Sequence, residues 1–446
     1  MEQTKIHPVD EKLSFGKLFI YGLQHVLAMY SGAVAVPLIL ASAIHLETEQ
    51  LIYLINADLF TCGVATLIQT LGAGPKIGSK LPIVQGCTFG AVTTMIMIGG
   101  QHGLQGIYGS IIVAGFLTVI LSSYFGRMLR FFPPVVTGTV ITIIGVSLLP
   151  VAVNWVGGGN PKAPDFCDPS KIYMAIMVLV IVLICYRCFK GFISNIAVLL
   201  GLVIGTVLAM MLGLTDFSAV AKAEFIGITT PLHFGMPIFD PASIFAMTIV
   251  MLVVMTETTG DVIAIGEIVD KKIDQNILSR ALRADGLSTM LGGLFNAFPY
   301  TAFAQNVGLV SLTGVRSRFV VAMAGVILMV LGLFPKLAAV VASIPPSVLG
   351  GAGIAMFGMV AASGIKTLSK VDFEHSYNMM IVAVSLGVAL IPLGVPTFYS
   401  KFPIWVQLFM KSGITVGSVT AIVLNIVLNG VPHEDKKDEV ARTEYL

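Results

Sequence analysis

The chain has 446 residues, of which 56% are hydrophobic and only 11% are charged, and its formal net charge is +2. Average soluble domains carry about 25% charged residues, so this composition excludes an ordinary soluble protein, and the small net charge excludes a basic nucleic-acid-binding surface. Apolar runs of about 20 residues recur along the chain, which is the length that crosses a bilayer core. We therefore predict an all-α integral membrane protein.

Fourteen membrane spans are predicted in chain order. Two of them, 82–99 and 299–314, are short and interrupted by glycine or proline. The other twelve are full-length apolar runs at 17–42, 51–72, 104–125, 132–153, 172–189, 192–213, 241–266, 276–297, 317–342, 346–363, 374–395 and 413–430. The segment 402–412 is predicted to be an interfacial helix.

The positions of the basic residues fit this count. With both termini in the cytoplasm, 20 of the 26 Lys and Arg residues fall in segments on the inner side and 6 on the outer side, as the positive-inside rule requires. Omitting either interrupted segment would exchange the two sides for the rest of the chain. Both segments are therefore expected to cross the membrane or to reverse the side.

The interrupted segments are spans three and ten, each the third of its seven. Because seven is odd, the second half enters the membrane from the opposite side, which predicts a 7+7 inverted repeat. Transporters hold substrate at such paired, broken helices, and the exposed helix N-termini attract polar or anionic groups. Two kinked structural helices are the alternative.

Few ionisable residues fall within the predicted spans, and such residues are functional candidates by default. Glu257 and Asp261 are four residues apart, so they share a helix face. A carboxyl in this setting could hold a proton near neutral pH, as a proton-coupled carrier requires, although a structural pair is the alternative. Asp58, in span two, is expected to bond to neighbouring backbone.

Two other ionisable groups allow two readings each. His25, which follows Gln24 in span one, is either a satisfied core group, or a partner for a carboxylate or an organiser of the site. Asp285 is expected near the cytoplasmic end of span nine, where Arg283 could neutralise it, in an orienting or a capping role.

Gln305 and Asn306 are adjacent amides on the second interrupted segment. A side-chain amide offers donors and an acceptor that match the N–H and C=O edges of a purine or pyrimidine dione. Glu257 could accept ring N–H groups, and Phe89 on the first interrupted segment could stack on a flat ring. These residues predict a pocket for a heterocycle rather than an ion filter.

The second interrupted segment also carries a motif that resembles the nucleobase–ascorbate transporter family (nucleobase–cation symporters), of the uric acid or xanthine permease type. The family signature is Gln or Glu, Asn, any residue, Gly, four residues, Thr, and then Arg, Lys or Gly. It is complete here, from Gln305 to Gly314. The resemblance covers essentially the whole chain and extends to Gln24, His25, Glu257, Asp285 and the run Gly86, Cys87, Thr88 and Phe89.

The resemblance implies a core domain of residues 17–126 and 241–342 and a gate domain of residues 131–213 and 345–430, with cytoplasmic tails at 1–16 and 431–446. It also implies short antiparallel strands at the breaks in spans three and ten, and elevator-like movement of the core against the gate. A homodimer formed through the gate domain, in the cytoplasmic membrane, is expected. The expected driving force is a proton gradient, and no cofactor or metal is expected.

By resemblance, Glu257 and Gln305 bind the base and Phe89 stacks on it. The backbone near Phe89 and Ala304 adds hydrogen bonds, and Thr88 and Asn306 complete the substrate-binding set. The expected site-organising or proton-coupling residues are Glu257, Asp261, Asp285, His25 and Gln24. Asp261 departs from the His found at this position in uracil-type members.

The resulting hypothesis is a proton-coupled symporter for an oxidised purine. By resemblance to the family, in which uracil carriers have Glu at the position of Gln305, Gln305 and Gly314 favour oxidised purines and Thr88 favours uric acid. The alternatives are a permease for uracil or another nucleobase, or an anion transporter of the sulfate or bicarbonate type with the same fold. An intramembrane enzyme would need a nucleophile with a base, or a metal cluster, and the sequence contains neither pattern.

Overall fold

The computed structural model describes residues 7–128, 131–374 and 377–430, which are mostly helical. The C-terminal tail 431–446 and the first six residues of the N-terminal tail lie outside the described residues. The helices of the first half are α1 (Phe15–Ala43), α2 (Thr48–Leu71), α3 (Val92–Leu121), α4 (Phe125–Met128), α5 (Pro134–Val156), α6 (Pro169–Cys188), α7 (Phe192–Asn195), α8 (Ala197–Met211) and α9 (Ser218–Lys222).

The second half is equally helical. Its helices are α10 (Pro241–Ile268), α11 (Gln275–Leu294), α12 (Ala304–Thr313), α13 (Arg318–Leu331), α14 (Pro335–Ala342), α15 (Pro346–Leu368), α16 (Asn378–Gly394), α17 (Ile404–Met410) and α18 (Gly413–Asn429). Two strands, β1 (Gln85–Cys87) and β2 (Tyr300–Ala302), and two 3-10 helices, Pro8–Asp10 and Phe89–Ala91, complete the described structure.

Seven helices within the described ranges are long and apolar enough to cross a membrane, and α13 and α14 together supply an eighth as a bent pair. Helices α8, α16 and α18 are apolar but shorter, with 15, 17 and 17 residues. The prediction of a helical, multi-pass membrane protein is confirmed.

The structure divides several predicted runs differently. The run 317–342 is not one helix, because α13 and α14 meet at an angle of 83°. Pro335 begins α14, and a proline cannot extend the hydrogen-bond ladder of a preceding helix. The run 192–213 is divided at Ile196. Helix α3 joins the end of the first interrupted segment to the run 104–125, with a break at Gly103 (φ 62°, ψ −166°).

Proline and acidic residues mark where the helices begin. Proline occupies the first position of α5, α6, α10, α14 and α15, where its missing N–H has no partner to lose. The carboxylates of Asp168, Asp240 and Asp274 accept a backbone N–H in the first turn of α6, α10 and α11. These caps satisfy donors that a helix cannot pair internally.

The helices pack in two groups. In one group, α2 packs on α13, and α3 packs on α10 and α11. In the other, α15 packs on α5 and α6, α6 on α8, and α16 on α18. Glycines allow the closest approaches: a Cβ on Gly63 of α2 would lie 2.4 Å from the carbonyl oxygen of Gly325 on α13. Small residues serve this purpose at membrane helix interfaces.

The two strands join the interrupted segments of the two halves. They pair antiparallel, with Gln85 opposite Ala302, Gly86 opposite Thr301 and Cys87 opposite Tyr300. The pairing continues beyond the strands, since the Thr88 N–H donates to the Pro299 carbonyl (2.9 Å) and the Phe303 N–H to the Val84 carbonyl (3.0 Å). Both strands are fully buried. Each strand supplies hydrogen-bond partners for the backbone groups of the other, as buried nonhelical backbone in a membrane protein requires.

Candidate functional site

The strand pair positions the starts of two helices. Strand β1 leads into the 3-10 helix at Phe89 and then into α3, and β2 leads into α12 at Ala304. Because the strands are antiparallel, the two helix N-termini lie at opposite ends of the pair. The first N–H groups of each helix lack intrahelical acceptors and carry a partial positive charge. The space beside the strands is therefore flanked by two sets of backbone donors.

The side chains at these two helix starts are accessible. Ala304 and Gln305 are exposed and Phe89 is half-buried. The Phe89 ring meets the buried ring of Phe357 on α15 edge-on, with 5.9 Å between centroids and 77° between planes. Within the described chain, no hydrogen bond occupies the Gln305 amide. An aromatic face and an amide with donors and an acceptor are thus available at this site.

Glu257 lies on α10, which packs against the 3-10 helix, β2 and α12. Its neighbours along the helix contact both interrupted segments. Val254 Cγ2 lies 3.9 Å from where a Cβ on Gly90 would be, and the Thr258 hydroxyl accepts the Ala302 N–H at 3.3 Å. Glu257 is half-buried, and the described residues give its carboxylate no hydrogen bond. The carboxylate therefore lies beside the strand pair with its acceptors free.

Asp261 follows Glu257 by one turn of α10. Its Oδ2 atom is buried and has no hydrogen-bond partner among the described residues. The four ion pairs found in the described ranges involve neither carboxylate. Two partly buried acids on one helix face without a cationic partner are costly unless at least one of them is protonated or neutralised.

His25 pairs with an amide, so the structure does not support the alternative in which its partner is a carboxylate. The Asn306 Nδ2 atom lies 3.0 Å from His25 Nδ1 and donates to the His25 carbonyl at 2.9 Å. Both side chains are buried, with 1% and 2% exposure. The Asn306 Oδ1 atom and the neighbouring Gln24 Oε1 atom have no partner among the described residues. This contact fixes α12 to α1 one residue after Gln305.

Asp285 lies behind strand β1 and is not neutralised by Arg283. Its Oδ1 atom accepts from Gln85 Nε2 at 2.8 Å and from Gln69 Nε2 at 3.4 Å. The Arg283 guanidinium instead donates to the Lys76 carbonyl and to the Ser123 hydroxyl. Asp285 is fully buried, and a buried carboxyl requires donors. The two glutamines supply them to Oδ1, whereas Oδ2 has no partner among the described residues.

Asp58 also differs from its predicted role. Its Oδ1 atom accepts the phenol O–H of Tyr300 at 3.0 Å, so it bonds to a side chain of β2 rather than to neighbouring backbone. Thr88, by contrast, acts locally: its hydroxyl caps the 3-10 helix by accepting the Gly90 N–H at 3.1 Å. It is buried, with 1% exposure, and therefore shapes the start of the helix at Phe89.

Comparison with known proteins decides the family. Residues 16–398 match the Permease family, which covers well over half of the chain. The chain belongs to this permease family. The resemblance seen in the sequence motif is thereby confirmed, and the protein is a membrane transporter rather than an enzyme.

Several characterised relatives match the permease over almost its whole length. The xanthine permease of Bacillus subtilis (strain 168) is 49% identical over 415 residues, which are 93% of this chain and 94% of that protein. The uric acid transporter UacT of Escherichia coli (strain K12) is 48% identical over 428 residues, 95% and 89% of the two chains. The uric acid permease PucJ of Bacillus subtilis is 44% identical over 440 residues, 98% and 97% of the two chains.

Solved structures share the permease's fold at low sequence identity. The transmembrane domain of the cyanobacterial bicarbonate transporter BicA superposes with a TM-score of 0.64 at 16% identity, covering 94% of this chain and all of that domain. The murine anion transporter Slc26a9, in its inward-facing state, gives a TM-score of 0.60 at 14% identity and covers 94% of this chain and 69% of its own. These similarities concern the fold alone.

The permease's interrupted segments bring together most of the predicted site residues: Thr88, Phe89, Ala304, Gln305, Asn306, His25 and Glu257. Asp285 lies one layer behind them. The polar residues that sequence reasoning missed are Gln85, Thr258 and Tyr300, which bond the strands to the surrounding helices, and Gln69, which bonds α2 to Asp285 on α11. The sequence does contain a signal for these residues, because each is a polar or hydroxyl-bearing residue within an apolar segment.

Proposed function

We propose that this permease is a proton-coupled symporter that imports an oxidised purine, uric acid or xanthine or both, across the cytoplasmic membrane. The purine is supported by relatives named as xanthine and uric acid permeases at 44–49% identity. The observation that carries the proposal is the paired strands, which set Phe89 and Gln305 at two helix N-termini beside the unpartnered carboxylate of Glu257.

In this proposal the purine lies beside the strand pair. Phe89 stacks on one face of the ring system, since aromatic side chains stack on any base. Gln305 pairs with a ring edge that offers one donor and one acceptor, and Glu257 accepts one or two ring N–H protons. Backbone N–H groups near Phe89 and Ala304 supply further donors. Thr88 and Asn306 hold the two helix starts in position.

Proton coupling is assigned to the buried acids. Glu257 is the primary proton carrier, because it lies beside the bound purine and has no cation near it. Asp261 and Asp285 extend the acidic group, and His25 with Gln24 organises the opposite side. A carboxyl that is neutral in one state and charged in another couples proton and substrate movement, and burial makes the charged state costly.

The membrane topology is proposed as fourteen spans in a 7+7 inverted repeat, with both termini in the cytoplasm. The packing pattern supports it, since exchanging the two halves converts several of the observed helix pairs into other observed pairs. Under this exchange, the pair of α2 and α13 corresponds to the pair of α11 and the second part of α3. The pair of α10 and the first part of α3 corresponds to the pair of α1 and α12. The pair of α6 and α8 corresponds to the pair of α16 and α18.

The two packing groups correspond to the proposed domains. Residues 17–126 and 241–342 form a core domain that carries the site, and residues 131–213 and 345–430 form a gate domain. Transport then proceeds by an elevator-type movement of the core against the gate, and two copies associate through their gate domains. The contact of Phe89 with Phe357 joins the proposed core to the proposed gate.

A ligand-binding panel on the purified protein tests the proposed substrate. Urate, xanthine, guanine, uracil and sulfate are each titrated, and we expect urate or xanthine to bind at least tenfold more tightly than uracil. A preference for uracil would support the pyrimidine alternative. Binding of sulfate alone would support an anion transporter.

The anion alternative has the fold similarity to the bicarbonate transporter BicA in its favour. Against it, the described site presents a carboxylate and an amide, and no lysine or arginine is paired with the acids there.

Proton coupling needs a separate measurement: uptake of labelled purine by whole cells should collapse when a protonophore dissipates the gradient. Uptake that persists against a concentration gradient would refute coupling to protons.

A further inference from the structure

Helix α2 carries a stripe of buried polar residues. Asp58, Cys62, Thr66 and Gln69 follow one another at intervals of four, four and three residues, so they lie on one helix face. Their exposure is 1% for Asp58 and 0% for the other three. Buried polar groups in a membrane protein are costly unless they are hydrogen-bonded. The hydrogen-bond partners of this helix face therefore indicate its structural role.

The stripe bonds to both strands and to the helix behind them. Thr66 Oγ1 accepts the Gln85 N–H at 3.0 Å and lies 3.3 Å from the Gln85 carbonyl, to which it donates. Gln69 Nε2 donates to Asp285 Oδ1 at 3.4 Å and to the Ala281 carbonyl at 3.3 Å. At the other end, Asp58 accepts from Tyr300. Helix α2 thus bonds to both strands of the pair, through Thr66 and Asp58.

Of these contacts, the one between Asp58 and Tyr300 joins the residues that are farthest apart in the sequence. The two residues are 242 positions apart in the chain, and the phenol oxygen lies 3.0 Å from Asp58 Oδ1 and 3.3 Å from the Asp58 carbonyl oxygen. Tyr300 is fully buried and pairs with Cys87 in the strand register. Its backbone N–H donates to the Thr289 hydroxyl at 3.1 Å, so both ends of the residue are fixed.

Tyr300 is the first residue of β2 and lies four residues before Ala304. A displacement of β2 moves the start of α12, because Phe303 is the single residue between the end of β2 and the beginning of α12. The amide of Gln305 would then lose its place relative to Phe89 across the pair. Removing one partner of a buried hydrogen bond leaves an unsatisfied polar group, which is energetically costly. The Asp58 carboxyl is therefore suited to hold a strand in place.

We propose that Asp58 is a positioning residue for substrate binding, which acts through the Tyr300 hydroxyl to fix strand β2 and the start of α12. This inference rests on the proposed purine site. Asp58 does not touch that site; it determines where Ala304 and Gln305 stand.

The test compares five purified proteins with the wild type: Asp58→Asn, Asp58→Leu, Tyr300→Phe, the double variant Asp58→Leu with Tyr300→Phe, and the control Thr61→Val. Thr61 is equally buried on α2, but its hydroxyl bonds only within the helix, to the Ala57 carbonyl. Urate and xanthine dissociation constants, thermal unfolding midpoints, and hydrogen exchange of the amides at 84–88 and 299–303 are measured for each.

We expect Asp58→Leu and Tyr300→Phe each to weaken purine binding about tenfold, the usual effect of losing a hydrogen bond to a charged or buried group. Exchange at 299–303 should accelerate in both. The double variant should be no worse than the worse single variant, because both changes remove one contact. Asp58→Asn keeps an acceptor oxygen and should bind within about threefold of the wild type, and Thr61→Val should match the wild type.

Unchanged dissociation constants in folded Asp58→Leu and Tyr300→Phe proteins, with only a lower unfolding midpoint, would overturn the proposal and leave a structural role. Additive losses in the double variant would overturn the route through Tyr300. If Asp58→Leu does not fold, Tyr300→Phe, which removes a single oxygen atom, decides the question. If the wild type binds no purine, the proposed function fails, and exchange at 299–303 still decides whether Asp58 orders β2.

Discussion

A methyl group added at Gly86 would collide with the ring of Phe303. The Cβ of an alanine there would lie 2.2 Å from Cε2 and 2.4 Å from Cδ2 of that ring. Carbon atoms in contact prefer separations of about 3.5–4.0 Å, so the ring would have to retreat by roughly 1 Å or more. The ring has no free side to move into, because it is 4% exposed and also borders Gly32 of α1 at 2.8 Å from a Cβ position.

The cost of Gly86→Ala follows from this geometry. Forcing an extra carbon into a packed core costs about 1–3 kcal/mol. Phe303 is the residue that precedes α12, and its N–H closes the strand pairing to the Val84 carbonyl at 3.0 Å, so strain on its ring also displaces Gln305. If the whole cost fell on the bound state, urate affinity would fall about 5- to 150-fold. We expect the cost to be divided between folding and binding, which gives a lower unfolding midpoint together with a loss of urate affinity below this limit.

The assay is thermal unfolding and urate titration of detergent-purified protein. Combining Gly86→Ala with Phe303→Leu removes the colliding ring atoms and should recover part of the unfolding midpoint, while Gly387→Ala in α16 is the matched control because nothing lies within 4 Å of its Cβ position. A Gly86→Ala protein with the wild-type midpoint and affinity would refute the reasoning, since it would mean that the strand pair accommodates the methyl group freely.

Three further predictions concern the site. Gln305→Glu replaces the amide donor by an acceptor and should change or abolish the preference among purines in the ligand panel; unchanged selectivity would remove Gln305 from the pocket. Glu257→Gln should abolish accumulation of labelled purine in cells, because the protonatable group is gone, and undiminished accumulation would move the coupling role elsewhere. Asn306→Leu removes both contacts to His25 and should lower stability by about 1–3 kcal/mol, seen as a lower unfolding midpoint; an unchanged midpoint would contradict this.

The general form of the fold was predictable because its determinants are local. Apolar runs identify helices, and glycine and proline interrupt the two segments that contain β1 and β2. Local signals also mislead where a break lies inside an apolar stretch. The run 317–342 reads as one helix, since Gly332 and Pro335 are also compatible with a kinked span. In the structure α13 and α14 meet at 83°, and both pack against α2.

The partners of the buried acids were not predictable, because they come from distant parts of the chain. Arg283 is two residues from Asp285 in sequence, but consecutive helical residues point in different directions, and the partner found, Gln85, is 200 positions away. Asp58 shows the same limit with Tyr300. A sequence shows which polar residue within an apolar segment needs a partner. The antiparallel pairing of β1 with β2 brings the partner residue close to it.

Exposure separates the site residues into two kinds, and the separation has a physical meaning. Ala304 and Gln305 are exposed and Glu257 is half-buried, so a ligand can reach these groups, while Asn306 at 1% and Asp285 at 0% exposure are already bonded to His25, Gln85 and Gln69. A side chain that is buried cannot contact a ligand unless the residues that cover it move. The accessible set should therefore determine which purine is bound, and the buried set should determine whether the accessible groups stand in place to bind any purine.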